Sequence, residues 1–263
     1  MSKVAIVTGS ATGLGAACAI ELAARGWNIV VNYSKSRHEA EETLAKVQGH
    51  GVEAMLVQAN ISQDADCRRL AAAAVEKWGR IDGLINNAAV TKFQKTGDLE
   101  DVTPEDFAHI LGTNVTGTYM MTRAVYPTMK KQWEEDQERG AVVNISSIAG
   151  GTGNGSSIPY SASKGAINTM TLGLARWLAP AVRVNTVCPG VVQGRWLRDG
   201  MGETEYENMM ERMIETTPLR LAGTAEQSAE AAVFLLTSGT AITGEILFVD
   251  AGSHLGGLPL KGR

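Results

Sequence analysis

The sequence predicts a single α/β domain: a doubly wound parallel sheet of about seven strands with helices on both faces. Three observations predict it. Short runs rich in valine and isoleucine recur along the whole chain. Helical patterns with readable ends separate them. No linker, repeat or low-complexity tract divides the 263 residues, and one α/β domain often runs to about 250 residues. Alternation of this kind packs helices on both sides of a parallel sheet.

The candidate strands are Val4–Val7, Ile29–Asn32, Ala54–Gln58, Gly83–Asn86, Val142–Ile145, Arg183–Val187 and Ile246–Val249. Short length and β-branched content fit strands buried on both faces. Gly13–Arg25 reads as a helix of small apolar residues stopped by Gly26. Ser36-x-x-Glu39 reads as a capping box ahead of a helix over Ala40–Val47. Thr103-Pro104-Glu105-Asp106 supplies a cap, a first-turn proline and acids where a helix start favours them. Ala108–Gln132 reads as one helix, broken near Pro127, with a charged tail from Trp133 to Arg139. Thr224-x-x-Gln227 opens a further helix. Gln193–Pro218 holds Gly194, Gly200 and Gly202 with Met201, Met209, Met210 and Met213. That stretch is expected to be a flexible lid over a pocket, within one domain spanning 1–263.

Composition narrows the function. Apolar content of 44% and charged content of 20% suit a large core. A net charge of −4 gives no electrostatic case for nucleic acid or an anionic membrane as partner. No apolar run reaches the roughly 18 residues of a membrane helix. Met1-Ser2-Lys3 leads into a short strand and a Thr-Gly turn, which does not resemble a signal peptide. Cys18, Cys67 and Cys188 lie far apart, and the four histidines show no ligand spacing, so no metal site is expected. Reduced thiols in a cytoplasmic protein are the expectation.

Chemistry concentrates in a few motifs. Thr8-Gly9-Ser10-Ala11-Thr12-Gly13-Leu14-Gly15 follows the first strand and opens the first helix. Glycines there let a backbone turn sharply and let a pyrophosphate approach the helix N-terminus, whose free amides and dipole favour an anion. The spacing is Gly-x3-Gly-x-Gly, not the commoner Gly-x-Gly-x-x-Gly. Tyr160 and Lys164 are four apart on a predicted helix and share a face. A neighbouring ammonium favours phenolate and lowers a phenol pKa. With a bound cation adding to that charge, a drop of about two to three units would be worth roughly 3–4 kcal/mol. Tyr160 is then expected to pass a proton to or from an oxygen near neutral pH.

Further motifs fall in order around these. Asn86-Asn87-Ala88-Ala89 follows the fourth strand, Asn114 lies in the long helix, Ser147 closes the fifth strand, and Pro189-Gly190 follows the sixth. Together with Tyr160-Ser161-Ala162-Ser163-Lys164 they resemble the short-chain dehydrogenase/reductase family along essentially the whole chain. The resemblance implies a Rossmann-type fold and reversible hydride transfer between a nicotinamide and a ketone or secondary alcohol, with 3-oxoacyl thioesters among the candidate substrates. It implies a catalytic tetrad of Asn114, Ser147, Tyr160 and Lys164. Ser147 would hydrogen-bond the reacting oxygen, and Asn114 would hold a water linking Lys164 to solvent. Ser146 competes with Ser147, and only the thirteen-residue offset to Tyr160 selects the second. Enoyl reductases of similar build space their Tyr and Lys more widely. A non-enzymatic NADP(H)-binding scaffold or sensor is the alternative, though no tetrad residue is missing.

The implied dinucleotide contacts are Gly9, Ser10, Ala11, Thr12, Gly13, Leu14 and Gly15; Asn32, Tyr33, Ser34 and Lys35; Asn60 and Ile61; Asn87, Ala88 and Ala89; Tyr160 and Lys164; and Pro189, Gly190 and Val192. An acid at the end of the second strand would hold ribose hydroxyls and repel a 2′-phosphate. Here that strand runs Val31-Asn32-Tyr33-Ser34-Lys35-Ser36-Arg37 with no acid. Ser34, Lys35 and Arg37 suit a phosphate, so NADP(H) is expected over NAD(H). Four positions depart from the family pattern: Asn60 for Asp, Ala89 for Gly, Gly194 for Thr, and Ala251 for Gly. The resemblance also implies a homotetramer, with Trp177 as a candidate contact. An acyl-carrier partner would need a basic patch. Lys130, Lys131, Arg195 and Arg198 are candidates, opposed by Glu134, Glu135 and Asp136.

Overall fold

The computed structural model describes residues 2–256. In chain order the elements are β1 (Val4–Val7), α1 (Gly13–Ala24), β2 (Asn28–Tyr33), α2 (Arg37–Gln48), β3 (Ala54–Gln58), α3 (Asp64–Trp78), β4 (Gly83–Asn86) and α4 (Pro104–Leu111). A π-helical turn over Gly112–Gly117 leads into α5 (Thr118–Asp136). Then come β5 (Gly140–Ile145), α6 (Ala149–Thr152), α7 (Ile158–Leu178), β6 (Val182–Pro189), α8 (Arg195–Met201), α9 (Glu203–Thr216), α10 (Ala225–Thr237) and β7 (Ile246–Val249). The strands form one parallel sheet in the order β3-β2-β1-β4-β5-β6-β7.

Strand side chains alternate between two cores. Ala5 and Val7 belong to the core shared with α1, α2 and α10, which includes Leu22, Val47, Val233 and Leu236. Val4 and Ile6 belong to the core shared with α3, α5 and α7, which includes Leu70, Met121, Val125 and Leu174. All four β1 residues are fully buried, which is why the run is apolar at every position rather than alternating.

Helix ends follow local chemistry. The boxes at Thr103–Asp106 and Thr224–Gln227 form in full. The box expected at Ser36 does not: Ser36 makes no cap bond, and the helix starts at Arg37. Glu39 instead reaches outward to Arg195 Nη1 at 2.9 Å. The expected break near Pro127 is also absent. Pro127 sits on the exposed side of a continuous α5, where its missing N–H faces solvent. The interruption is the π turn upstream. There the Thr118 hydroxyl donates to Asn114 O (2.7 Å) and Thr122 to Thr118 O (2.9 Å), competing with the backbone ladder. The charged tail continues helically to Asp136 and stops at Gln137, which takes a left-handed conformation.

Candidate active site

The strand order reverses at β1, so a crevice opens beyond the carboxyl ends of β1 and β4. The glycine turn fills that position. Thr8 Oγ1 accepts from Asn87 N (3.0 Å) and Ala88 N (3.1 Å), while Asn87 Nδ2 donates to Thr8 O and Gly9 O at 3.0 Å each. Gly9 has φ +61°, and a Cβ there would lie 2.8 Å from Ala88 Cα. A Cβ on Gly15 would lie 2.4 Å from Asn87 Nδ2 and 2.5 Å from Gly9 O. The turn therefore has no room for side chains on its inner side. Thr12, at the N-terminus of α1, makes no side-chain cap bond, and no acid occupies the first turn. Backbone donors and a positive helix end are left for an anion, so these residues fit a dinucleotide diphosphate.

The other predicted contacts divide by position. Ser10 and Asn32 lie beneath the turn and brace it. Ser10 Oγ donates to Val7 O (2.7 Å) and accepts from Asn32 N (2.9 Å). Asn32 Oδ1 accepts from Gly9 N (3.0 Å), and its amide reaches Ala59 O (3.1 Å). Ala11 is buried, and its carbonyl accepts from Thr43 Oγ1. Tyr33 is buried, whereas Ser34 and Lys35 are exposed at the end of β2. Asn60 turns back on Ser62 N (3.1 Å) and Oγ (3.0 Å), and Ile61 is buried. Ala88 and Ala89 are half-buried beside the turn. Gly190 packs on Asp250, and Val192 forms a lone parallel bridge with Gly223. Gly194 has φ +155°, a conformation rare for side-chain-bearing residues, so the backbone itself explains why no threonine stands there.

The tetrad residues converge from three elements. Ser157 caps α7 by accepting from Tyr160 N, which puts Tyr160 in the first turn. Lys164, one turn on, is buried and donates from Nζ to Ile145 O at 2.8 Å. Its Nζ lies 5.4 Å from the centre of the Tyr160 ring. Ser146 and Ser147 are separated by geometry. Ser146 Oγ is buried and donates to Lys164 O (3.0 Å). Ser147 Oγ accepts from Ala149 N (3.1 Å) and neighbours the Tyr160 phenol. Asn114 is fully buried on the π turn. Its amide donates to Val90 O and Ser163 Oγ (both 3.0 Å), and its oxygen accepts from Val90 N (2.8 Å). It thus ties the segment after β4 to α7.

The downward shift expected for the Tyr160 phenol includes the charge of a bound oxidised nicotinamide; the free chain sets the starting point from which it acts. Burial pushes the phenol up to about 12, against which the hydrogen bond with Ser147 works only partly. Burial pushes Lys164 down to about 8. Desolvation outweighs the attraction that helical spacing alone suggests.

Two arrangements carried no advance signal. Phe93, Trp196 and Tyr160 form an aromatic cluster, with Trp196 ring centres 5.7 Å from Phe93 and 5.9 Å from Tyr160. Beneath the site runs a buried polar chain. Asn86 Nδ2 donates to Thr122 Oγ1 (3.1 Å) and Asn144 Oδ1 (2.9 Å), Asn144 Nδ2 donates to Thr171 Oγ1 (2.9 Å), and Thr171 meets Thr186 at 2.6 Å. Alternating strand register puts Asn86, Asn144 and Thr186 side by side on β4, β5 and β6.

A family model described as enoyl-(acyl carrier protein) reductase matches residues 9–254. A Streptomyces violaceoruber protein named "Granaticin polyketide synthase putative ketoacyl reductase 2" is 42% identical over 254 residues, covering 97% of each chain. This chain belongs to the short-chain dehydrogenase/reductase family. Its fold is shared with a member from Burkholderia xenovorans at 36% identity and TM-score 0.89, covering 97% of this chain and 99% of that one. An NAD+-bound xylitol dehydrogenase is similar at 30% identity and TM-score 0.83, covering 94% and 97%. As a short-chain dehydrogenase/reductase, the protein is an oxidoreductase acting on CH–OH groups with a nicotinamide dinucleotide. No helix among the described residues is long and apolar enough to cross a membrane.

Proposed function

We propose that the protein is an NADP(H)-dependent carbonyl reductase acting on a ketone, or on the corresponding secondary alcohol in reverse. The observation that carries this reading is the meeting of the Ser147 hydroxyl, the Tyr160 phenol and the buried Lys164 ammonium at one mouth of the crevice. A nicotinamide held by the glycine turn would supply the hydride and, once oxidised, a positive charge that favours phenolate. Ser147 donates a hydrogen bond to the substrate oxygen. Tyr160, held protonated by burial, gives its proton to that oxygen as hydride reaches the carbon. Lys164 lies behind the ring and stabilises the phenolate that remains, and Asn114 holds the opposite wall in register. The water between Asn114 and Lys164 belongs to this reading.

The four-residue Tyr–Lys offset favours carbonyl over enoyl reduction. The ketoacyl reductase name of the 42%-identical relative brings 3-oxoacyl thioesters into the substrate panel. Preference for the 2′-phosphate rests on Lys35, exposed at the end of β2 where no acid stands. Arg37 contributes less than expected, since Glu41 holds its Nε at 2.8 Å. We place the lid at α8 and α9, where Tyr206 is the only buried residue. A homotetramer using Trp177, 83% exposed on α7, and a cytoplasmic location complete the reading.

The test is Tyr160→Phe assayed by loss of NADPH absorbance over a carbonyl panel. Turnover should fall at least about a hundredfold while dinucleotide binding persists. Retained turnover would sink the mechanism. A KM ratio favouring NADH would overturn the cofactor assignment alone.

A further inference from the structure

We propose that this site takes free ketones borne on a flat aromatic or conjugated ring, rather than acyl chains delivered on an acidic carrier protein. The inference rests on the carbonyl-reductase reading and narrows it. Trp196, the second residue of α8, lies against the Tyr160 ring at 44° and against Phe93 at 56°. It remains 49% exposed, so an indole borders the catalytic phenol with much of its surface still open. The contact is built from both sides. A Cβ on Gly200 would fall 1.8 Å from the Phe93 ring, so α8 lies directly on that ring and only glycine permits it. A carbonyl bonded to Ser147 and Tyr160 therefore carries its substituent past two aromatic side chains. A flat π system gains tilted or offset stacking there that a saturated chain does not.

Charge argues against the carrier. The four cations expected to form a docking patch are each engaged by an acid: Lys130 with Glu134 (3.5 Å), Lys131 with Glu135 (3.7 Å), Arg195 with Glu39 (2.9 Å) and Arg198 with Glu203 (3.2 Å). Lys92 is likewise held by Asp106 at 2.9 Å. Lys95 and, on or after α9, Arg212 and Arg220 stand outside the ion pairs among the described residues, which leaves three cations on two separate segments for an acidic surface.

The experiment compares α-tetralone, α-decalone and a 3-oxohexanoyl thioester of N-acetylcysteamine, with NADPH, in wild type, Trp196→Leu and Trp196→Phe. The two bicyclic ketones share a frame and differ in aromaticity. Trp196→Leu should lower kcat/KM for the tetralone about tenfold, mainly through KM, and for the decalone only about twofold. Trp196→Phe should keep most of the discrimination. An equal fall for both ketones overturns the inference, as does a higher wild-type kcat/KM for the thioester than for the tetralone. Turnover of the thioester alone leaves carbonyl reduction standing and removes the ring preference. No turnover of any of the three removes both.

Discussion

Asn144→Ala tests whether the polar chain beneath the site stabilises the sheet. Asn144 is fully buried and makes two side-chain bonds, accepting from Asn86 Nδ2 at 2.9 Å and donating to Thr171 Oγ1 at 2.9 Å. Each net bond is worth about 1 kcal/mol. Truncation also leaves a small void that the surrounding strands cannot fill, adding roughly 1 kcal/mol. The Asn86 amide has no slack, because its Oδ1 already lacks a partner and only Thr122 would remain for its nitrogen. The expected cost is about 2–4 kcal/mol, a large share of a typical stability of about 5–15 kcal/mol. Urea unfolding followed by tryptophan fluorescence reads it as a lower midpoint at constant slope. Thr171→Val should couple to it, the double variant costing about 1 kcal/mol less than the sum. A loss below about 0.5 kcal/mol for Asn144→Ala would refute the reasoning.

Two further outcomes follow from the site. Gly15→Ala forces a methyl against Asn87 Nδ2 and Gly9 O, so the turn must open by more than half an ångström-scale adjustment can absorb. A strain of about 1–3 kcal/mol should appear as a roughly tenfold or greater rise in dinucleotide KM, and an unchanged KM would show that the turn is not the binding floor. Lys164 carries a folded-state pKa of about 8, below its ordinary 10.5. Between those values the unfolded chain binds more protons, so stability should rise with pH from 8 towards 10.5. Lys164→Met should flatten that rise in urea midpoints taken across the window, and an identical slope would disprove the burial cost. Tyr160 acts in the opposite sense above pH 10, since its folded pKa of about 12 keeps a proton that the unfolded chain releases.

β1, β3, β4 and β7 match residue for residue; burial on both faces makes β1 apolar throughout, while the partly buried edge strands β3 and β7 were readable as short apolar runs between helices. The glycine turn was readable because close backbone approach at Gly9 and Gly15 leaves only one residue type. Ser147 was preferred over Ser146 by the family offset to Tyr160, while the engagement of the Ser146 hydroxyl by Lys164 O needed three dimensions. The rest depends on contacts between distant segments. Glu39 looked like a capping residue until Arg195 claimed it from far along the chain. Helical spacing reports the neighbouring charge and is blind to the desolvation that pushes the phenol up in the free chain. Phe93 and Trp196 are ordinary aromatics until the fold brings them together.

The π turn at Gly112–Gly117 sets a phase as well as a place. An α-helix advances about 100° per residue, so a widened turn that absorbs an extra residue re-indexes everything after it. Upstream, α4 runs against α7; downstream, α5 presents Met121, Val125 and Met129 to the sheet and α3. A uniform helix through both segments could not keep both faces aimed correctly. Removing one residue from the turn would rotate the α5 apolar stripe by about a quarter-turn towards solvent. Asn114 is thus seated where one helix changes its clock, and the same irregularity that presents its amide to Val90 and Ser163 keeps the far half of the domain in step.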